Sequence, residues 1–356
     1  MRILIVGIGA LGGVIATRLR AAGIPVHLAV RSPDSAARLK AVGLTVTGAG
    51  GEVSAIAEAV EPLDAYVGGA PFDLIVLATK AQDALAAAAI LPGMLADDGA
   101  LLPIQNGFVA QMIADRLKDP RVVGGLSNLG ATMKAPGVFE QRNAGHLLIG
   151  ELAGGESGRT ATIAGLLGPG VKIRVTRNLV GAVWSKLLLN CSVTTLGAIA
   201  GLTMRQFLAL PEGRELFVRT YDEALSVALA SGDRPERMVV EPVPPGWNRR
   251  SGPGPAFEAW LNAILGFYGD VKASMLQDFE QGRPTEIDFI NGHVMNLGHR
   301  LGLPTPVNAS ITDTVHAITR GEAVPGPALL AGIIRGVSLK ASSWKQEPIN
   351  QRIDVI

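Results

Sequence analysis

Short, fully apolar runs recur through the first half of the chain. Each is followed by an Ala-rich stretch whose apolar residues return at helical spacing. Arg2 to Val6, Pro25 to Val30, Leu74 to Ala78, Ala100 to Ile104 and Val122 to Val123 read as strands. Between them, Leu11 to Ala22, Ser35 to Ala41, Gln82 to Ala89 and Val109 to Leu117 read as helices. Strands that are apolar at every position need cover on both faces, so the alternation predicts a parallel sheet wound with helices on each side. The Gly-punctuated stretch Ala131 to Ile149 predicts an antiparallel pair closing that sheet.

After about Arg177 the period lengthens. Leu179 to Ile199, Gly213 to Ala230, Pro255 to Phe279, Ile287 to Leu301 and Pro306 to Arg320 carry long helical patterns. Glu241 to Pro255 is dense in Pro, Gly and Arg and reads as a loop or lid, and the tail after Arg320 as partly helical with a polar, irregular end. The division expected is residues 1–177 as an α/β doubly wound domain and 178–356 as an all-helical domain. The active-site cleft is expected at their junction, beyond the carboxyl ends of the parallel strands.

Composition narrows the classes. Of 356 residues, 48% are hydrophobic and 18% charged, enough for large cores and against disorder. Lys and Arg total 32 against 31 Asp and Glu, so no broad basic face for a nucleic-acid backbone is expected. One cysteine, Cys191, permits no intrachain disulfide, and with five histidines it argues against a structural metal site. The apolar run Ile3 to Val6 stops at Gly7, too short for a secretory signal. The apolar stretch Leu187 to Met204 is interrupted by Ser, Thr and Asn, which favours a buried core helix over a membrane span. A cytoplasmic protein without a membrane partner is expected.

The sharpest chemical signal is Gly7-Ile8-Gly9-Ala10-Leu11-Gly12, between the first strand and the first helix. In a dinucleotide-binding turn Gly7 allows the tight bend and Gly9 the approach of a pyrophosphate. Gly12 allows close helix–strand packing, and the helix N-terminus supplies N–H donors. A Gly-rich turn without a ligand is the plainer reading, but the strand–turn–helix context favours a cofactor and a Rossmann-type domain. After the second strand comes Arg31, where a cofactor with a free ribose 2′-hydroxyl usually meets an acid. A cation there suits a 2′-phosphate, so NADP(H) is expected over NAD(H). Lys80 and Asn106 follow two further strands, where they suit cofactor phosphate and the nicotinamide or substrate side. Each also reads as a turn or cap residue.

In the helical half, Lys186 and Asn190 lie four apart on an otherwise apolar helix. A lysine there usually snorkels to solvent, whereas an amide in such a run needs partners. Pro284 or Thr285 is read as starting a helix with Glu286 in its first turn, where a carboxylate also simply favours the helix dipole. Ser274 can simply back-bond to its own helix.

Over most of its length the chain resembles the ketopantoate reductase (2-dehydropantoate 2-reductase) family, through GIGALGG, VRS, TKAQD, IQNG, SKLLLNC and SMLQDFEQGRPTEIDFINGHV. The resemblance implies NADPH-dependent reduction of a 2-oxo acid to a 2-hydroxy acid, as in pantothenate biosynthesis. It implies Lys186 as general acid, Glu286 and Asn190 and Ser274 at the substrate, Arg31 and Lys80 at the adenosine phosphate, and Asn106 beside nicotinamide and substrate. One turn after the first Asn, related helices commonly carry a second Asn and then Pro. Here Thr194-Thr195 stands instead, making Thr194 a substrate-side residue with a shorter, single donor. Asp233 to Trp260 and the tail after Arg320 look expanded. The alternatives are a family reductase acting on a different oxo acid and a non-catalytic NADPH-binding regulator. The apolar runs Ile264 to Phe267 and Ala328 to Ile334 cover either a homodimer partner or the domain's own core.

Overall fold

Four apolar residues with no polar interruption make Ile3–Val6 (β1) a strand that only a doubly covered sheet can hold, and all four are buried. The structure, a computed structural model, describes residues 1–247 and 254–341. By its contacts the chain divides into two compact units, Met1–Val183 and Trp184–Ile356.

The first unit continues with α1 (Ala10–Ala21), β2 (Val26–Val30), α2 (Pro33–Val42), β3 (Leu44–Gly48), β4 (Val53–Ala55) and β5 (Val60–Pro62). Then follow β6 (Phe72–Leu77), α3 (Ala81–Ala88), β7 (Leu95–Pro103), α4 (Val109–Leu117) and β8 (Gly124–Ser127). It closes with β9 (Ala131–Ala135), β10 (Val138–Gln141), β11 (Leu147–Gly150), α5 (Gly158–Leu167) and β12 (Ile173–Val175). The main sheet has the order β5-β2-β1-β6-β7, and each pairing in it is parallel. Val6 lies opposite both Ala29 and Leu77, so β1, β2 and β6 end level and present their following turns at one edge. Beneath that edge Val14, Ile15 and Leu19 of α1 join Ile3, Ile5, Leu28, Val76 and Leu102 in one buried core.

Two expectations are corrected here. Val122 to Val123 does not form a strand; Val122 makes only an isolated bridge to Leu101, and the strand begins at Gly124. The stretch from Ala131 contains the antiparallel pair β9–β10, but it does not close the main sheet. It joins β3 and β4 in a second sheet, β4-β3-β10-β9, while β11 lies in a third with β8 and β12. The physical reason is packing: the Phe139 ring of β10 is fully buried in the core beside α1, against Gly13, and this fixes the strand there.

A helix α6 (Leu179–Leu189) leads into the second unit. A single π turn, Asn190–Thr194, interrupts the helical course before α7 (Thr195–Ala200). Next come α8 (Met204–Leu208), α9 (Pro211–Ala230), α10 (Pro255–Tyr268), α11 (Ser274–Glu280), α12 (Asn291–Leu301), α13 (Pro306–Thr319) and α14 (Ala328–Ala341). The run Leu179–Ala200 is long and apolar enough to cross a membrane, but 83% of its apolar window is buried inside the protein. It behaves as a core helix, with Trp184, Leu188 and Leu196 fully buried. Phe217, Tyr221, Phe257 and Trp260 form a second cluster, with ring centroids 5.2–6.2 Å apart.

The helix expected over Pro255 to Phe279 breaks into two at Gly269-Asp270. There the Arg205 amide donates to the Gly269 carbonyl at 2.9 Å and the Arg205 side chain pairs with Asp270 at 3.0 Å. The helix expected from Ile287 instead begins at Asn291, after a 3₁₀ turn over Ile287–Phe289. Of the two apolar runs weighed as partner surfaces, Ile264, Leu330 and Ile333 are buried within the unit, while Phe267 is 68% exposed. Part of the expected loop Glu241 to Pro255, and the end of the tail, lie outside the described residues.

Candidate active site

In the first unit the glycine turn has the three properties a pyrophosphate site requires. Gly7 sits at φ +92°, a conformation that L side chains rarely adopt, and its amide donates to Ala29 O at 3.0 Å. A Cβ on Gly12 would stand 2.0 Å from the Gly7 carbonyl oxygen, so only glycine lets α1 pack there. A Cβ on Gly9 would meet nothing within 4 Å, leaving open space at the helix start. Gly9 is also the N-cap of α1 and has no side chain to cap the first turn, so the first N–H groups of the helix receive no side-chain cap from it. Ile8 and Leu11 pack against the core, while Ala10 begins the helix. Gly13 completes the set for a different reason: a Cβ there would enter the Phe139 ring at 2.2 Å.

Arg31 follows β2 and is exposed, its guanidinium 3.0 Å from the Asp83 carboxylate on α3. An exposed pair of this kind is worth about 0–1 kcal/mol, so the guanidinium is available to a phosphate at little cost. The next residue, Ser32, caps α2 by accepting from the Ser35 amide. Lys80 occupies the N-cap position of α3, at the carboxyl end of β6.

At the adjoining strand ends, Gln105 Nε2 donates to Leu77 O at 2.9 Å and Thr79 O at 3.0 Å, locking β6 to β7. Gln105 Oε1 and Thr79 Oγ1 are buried without a hydrogen-bond partner among the described residues. Two orphaned polar atoms at the carboxyl ends of parallel strands, beside the glycine turn, fit a dinucleotide that supplies the missing partners. Gln105 and Thr79 flank Asn106 and Lys80, and their single available signal in the sequence was that adjacency. Asn106 is partly buried and precedes Gly107, whose φ of +71° turns the chain.

In the second unit, Lys186 lies on the mostly buried α6, and desolvation lowers its ammonium from the ordinary 10.5 to about 8, opposed by the charge of Glu286. The structure therefore brings these two residues into electrostatic contact. Glu286 does not sit in the first turn of an α-helix, as expected; it immediately precedes the 3₁₀ turn Ile287–Phe289, without a side-chain cap. Asn190 opens the π turn, and its carbonyl accepts from Thr194 Oγ1 at 2.9 Å. The Thr194 hydroxyl hydrogen is thus spent on its own backbone, and lone pairs alone are left for a ligand. Ser274 begins α11 and is exposed.

Neighbouring groups offer little competing chemistry. Burial raises the Cys191 thiol far above neutrality, which rules it out as a thiolate nucleophile. His293, edge-on to Trp184 at 5.8 Å, is lowered by burial to about 4 and stays neutral at pH 7. Among the described residues no group of three or more His, Cys, Asp or Glu is placed to hold a metal ion.

A doubly wound dinucleotide-binding unit followed by a helical unit carrying a desolvated lysine defines a class: an NAD(P)H-dependent oxidoreductase. The ketopantoate reductase PanE/ApbA family model matches residues 3–154, and the family's C-terminal model matches residues 178–319. The chain belongs to the ketopantoate reductase family. The 2-dehydropantoate 2-reductase of Halobacterium salinarum is 26% identical over 90% of this chain and 99% of its own length. That of Pyrococcus horikoshii is 30% identical over 86% and 94%. A ketopantoate reductase structure from Ralstonia eutropha covers 90% of this chain and 99% of its own, with 25% identity and a TM-score of 0.75. The fold is also shared with D-mandelate dehydrogenase, solved with NADH and anilino(oxo)acetate, at 22% identity and a TM-score of 0.76 over 90% of this chain and 99% of that one.

Proposed function

We propose that the protein reduces a 2-oxo acid, 2-dehydropantoate or a close analogue, with NADPH, giving the 2-hydroxy acid. The observation that carries this reading is Lys186, an ammonium held near neutrality by burial and kept charged by Glu286. Bound NADPH supplies a hydride to the ketone carbon. The oxygen then becomes an alkoxide, which needs a cation and a proton within hydrogen-bond reach. Lys186 provides both, and a pKa of about 8 lets it give up the proton and recover it from solvent within one turnover. Glu286 holds the ammonium in its charged form before transfer. Asn190 and Ser274 are assigned to the substrate carboxylate and hydroxyl, and Thr194 to an accepting contact.

In the first unit Gly7 to Gly12 take the pyrophosphate, Arg31 and Lys80 the 2′-phosphate, and Asn106 the nicotinamide side. The preference for NADP(H) rests on Arg31, which stands where an acid would favour NAD(H). We assign cofactor binding to residues 1–177, catalysis to 178–356, and the protein to the cytoplasm.

The test is NADPH and NADH oxidation by the purified protein over a panel of 2-oxo acids that includes 2-dehydropantoate and an aromatic member. Turnover of 2-dehydropantoate with NADPH supports the reading in full. Turnover of another acid alone moves the substrate. NADPH binding without oxidation, wherever the panel is extended, overturns catalysis in favour of a redox-reporting role.

A further inference from the structure

A line of buried polar side chains runs through the helical unit behind the turn that carries Asn190 and Thr194. The Glu223 carboxylate accepts from the amides of Val307 and Asn308 at 2.9 Å each, and from Asn308 Nδ2 at 2.8 Å. Asn308 Oδ1 accepts from Asn291 Nδ2 at 2.9 Å, and Asn291 Oδ1 accepts from Thr195 Oγ1 at 2.9 Å. Thr195, Asn291 and Asn308 are each 0% exposed. A buried polar group left unpaired costs about 1–3 kcal/mol, so three such side chains linked in series to the half-buried Glu223 form an arrangement with few alternatives.

The line ends on the backbone of the π turn. The Asn190 carbonyl accepts from the Thr195 amide and from Thr194 Oγ1, and lies 3.1 Å from Thr195 Oγ1 as well. The Cys191 carbonyl lies 3.4 Å from Asn291 Nδ2, and Ser192 Oγ donates to Leu188 O at 2.7 Å. A π turn carries one residue more than an α turn. Reverting it to α-helix would rotate everything beyond it by about 100° about the axis, the angle per residue at 3.6 residues per turn. Asn291 also opens α12, with one residue between it and the 3₁₀ turn that follows Glu286. One amide therefore braces both chain segments on which the substrate-facing residues stand.

We propose that Thr195 and Asn291 are positioning residues: they hold the π turn, and through it set the angle between Lys186 and the side chains of Asn190 and Thr194. Neither is assigned a contact with substrate or cofactor. The inference rests on the reductase reading for its consequence, though not for its geometry.

The experiment compares Thr195→Val, which keeps the side-chain shape and removes the hydroxyl, with Thr195→Ser, which keeps the hydroxyl. Steady-state constants for the oxo acid, NADPH affinity by fluorescence, and the Lys186 pKa by NMR of labelled lysine are measured on each. Thr195→Val is expected to raise KM for the oxo acid about tenfold, the equivalent of 1.4 kcal/mol. NADPH affinity stays within about twofold, Thr195→Ser recovers most of the loss, and the Lys186 pKa moves in Thr195→Val but not in Thr195→Ser; a general loosening of the helical unit would not tie the loss to the hydroxyl or move that pKa with it. An unchanged KM in a folded Thr195→Val protein overturns the proposal. Should that variant fail to fold, Asn291→Ser is read by the same criteria. If the wild-type protein reduces no oxo acid, the reductase reading fails by itself, and the Lys186 pKa decides. A shift in Thr195→Val that Thr195→Ser reverses supports the positioning role, and an unshifted value overturns it.

Discussion

An ammonium buried on an apolar helix lowers stability, and at Lys186 that cost can be read against pH. Its pKa falls from 10.5 to about 8 on folding. Between those values the unfolded chain binds the extra proton, so stability rises with pH across this window, and the full penalty is present below it. Lys186→Met is therefore expected to raise stability at pH 7 by about 1–2 kcal/mol, after allowance for partial solvent screening. The gain disappears near pH 10.5, and thermal melts at several pH values check both. The same variant, like Lys186→Ala, is expected to lose turnover by about a thousandfold or more while still binding NADPH; near-normal kcat in either would remove Lys186 from its role. Arg31→Asp is expected to weaken NADPH about tenfold or more and to leave NADH nearly unchanged, since only the former carries a 2′-phosphate for the guanidinium. Equal losses for both cofactors would overturn the assignment. At this scale the sequence offers candidate residues but not their states. The pairing of Arg31 with Asp83, and the capture of the Thr194 hydrogen by the Asn190 carbonyl, depend on neighbours that only the folded backbone supplies.

Gly9 at the N-cap of α1 and Gly12 three residues on serve different purposes, and substitutions separate them. Gly12→Ala drives a Cβ to 2.0 Å from the Gly7 carbonyl and is expected to lower Tm and abolish cofactor binding together. Gly9→Ala meets nothing within 4 Å, so it is expected to keep its Tm while losing NADPH affinity, because the added methyl occupies the space of the pyrophosphate. A Gly9→Ala protein with unimpaired binding would remove the phosphate from that turn. The strands and helices around this turn were legible because their periods are local: β1, β2 and α4 fall within a residue of the expected bounds. The π turn was not, because hydroxyls and an amide from α12 stabilise it and an uninterrupted helical pattern runs through it. The break after Tyr268 was equally hidden, since the Arg205–Asp270 contact joins residues far apart in sequence.

For the whole molecule, cofactor binding and pH response are the integrated readouts. At about 100 times its Kd, NADPH is expected to stabilise the folded protein by about 2.7 kcal/mol, seen as a rise in Tm that Gly9→Ala abolishes. The value of kcat/KM for the oxo acid is expected to fall above about pH 8, tenfold per pH unit, as Lys186 loses the proton it must donate. A profile flat to pH 10 would assign that proton to another donor. The alternation of strands and helices, the change to an all-helical second half, the glycine turn and the presence of a lysine within an apolar helix can all be read along the chain. These follow from spacing along the chain and from residue types that admit few conformations. The parallel pairing of β10 with β3, in place of closure of the main sheet, is settled by packing between distant segments, since that register is set by burial of Phe139 against α1. The charge on Lys186 was likewise decided there, because desolvation and the field of Glu286 arise only when distant segments pack together and exclude water.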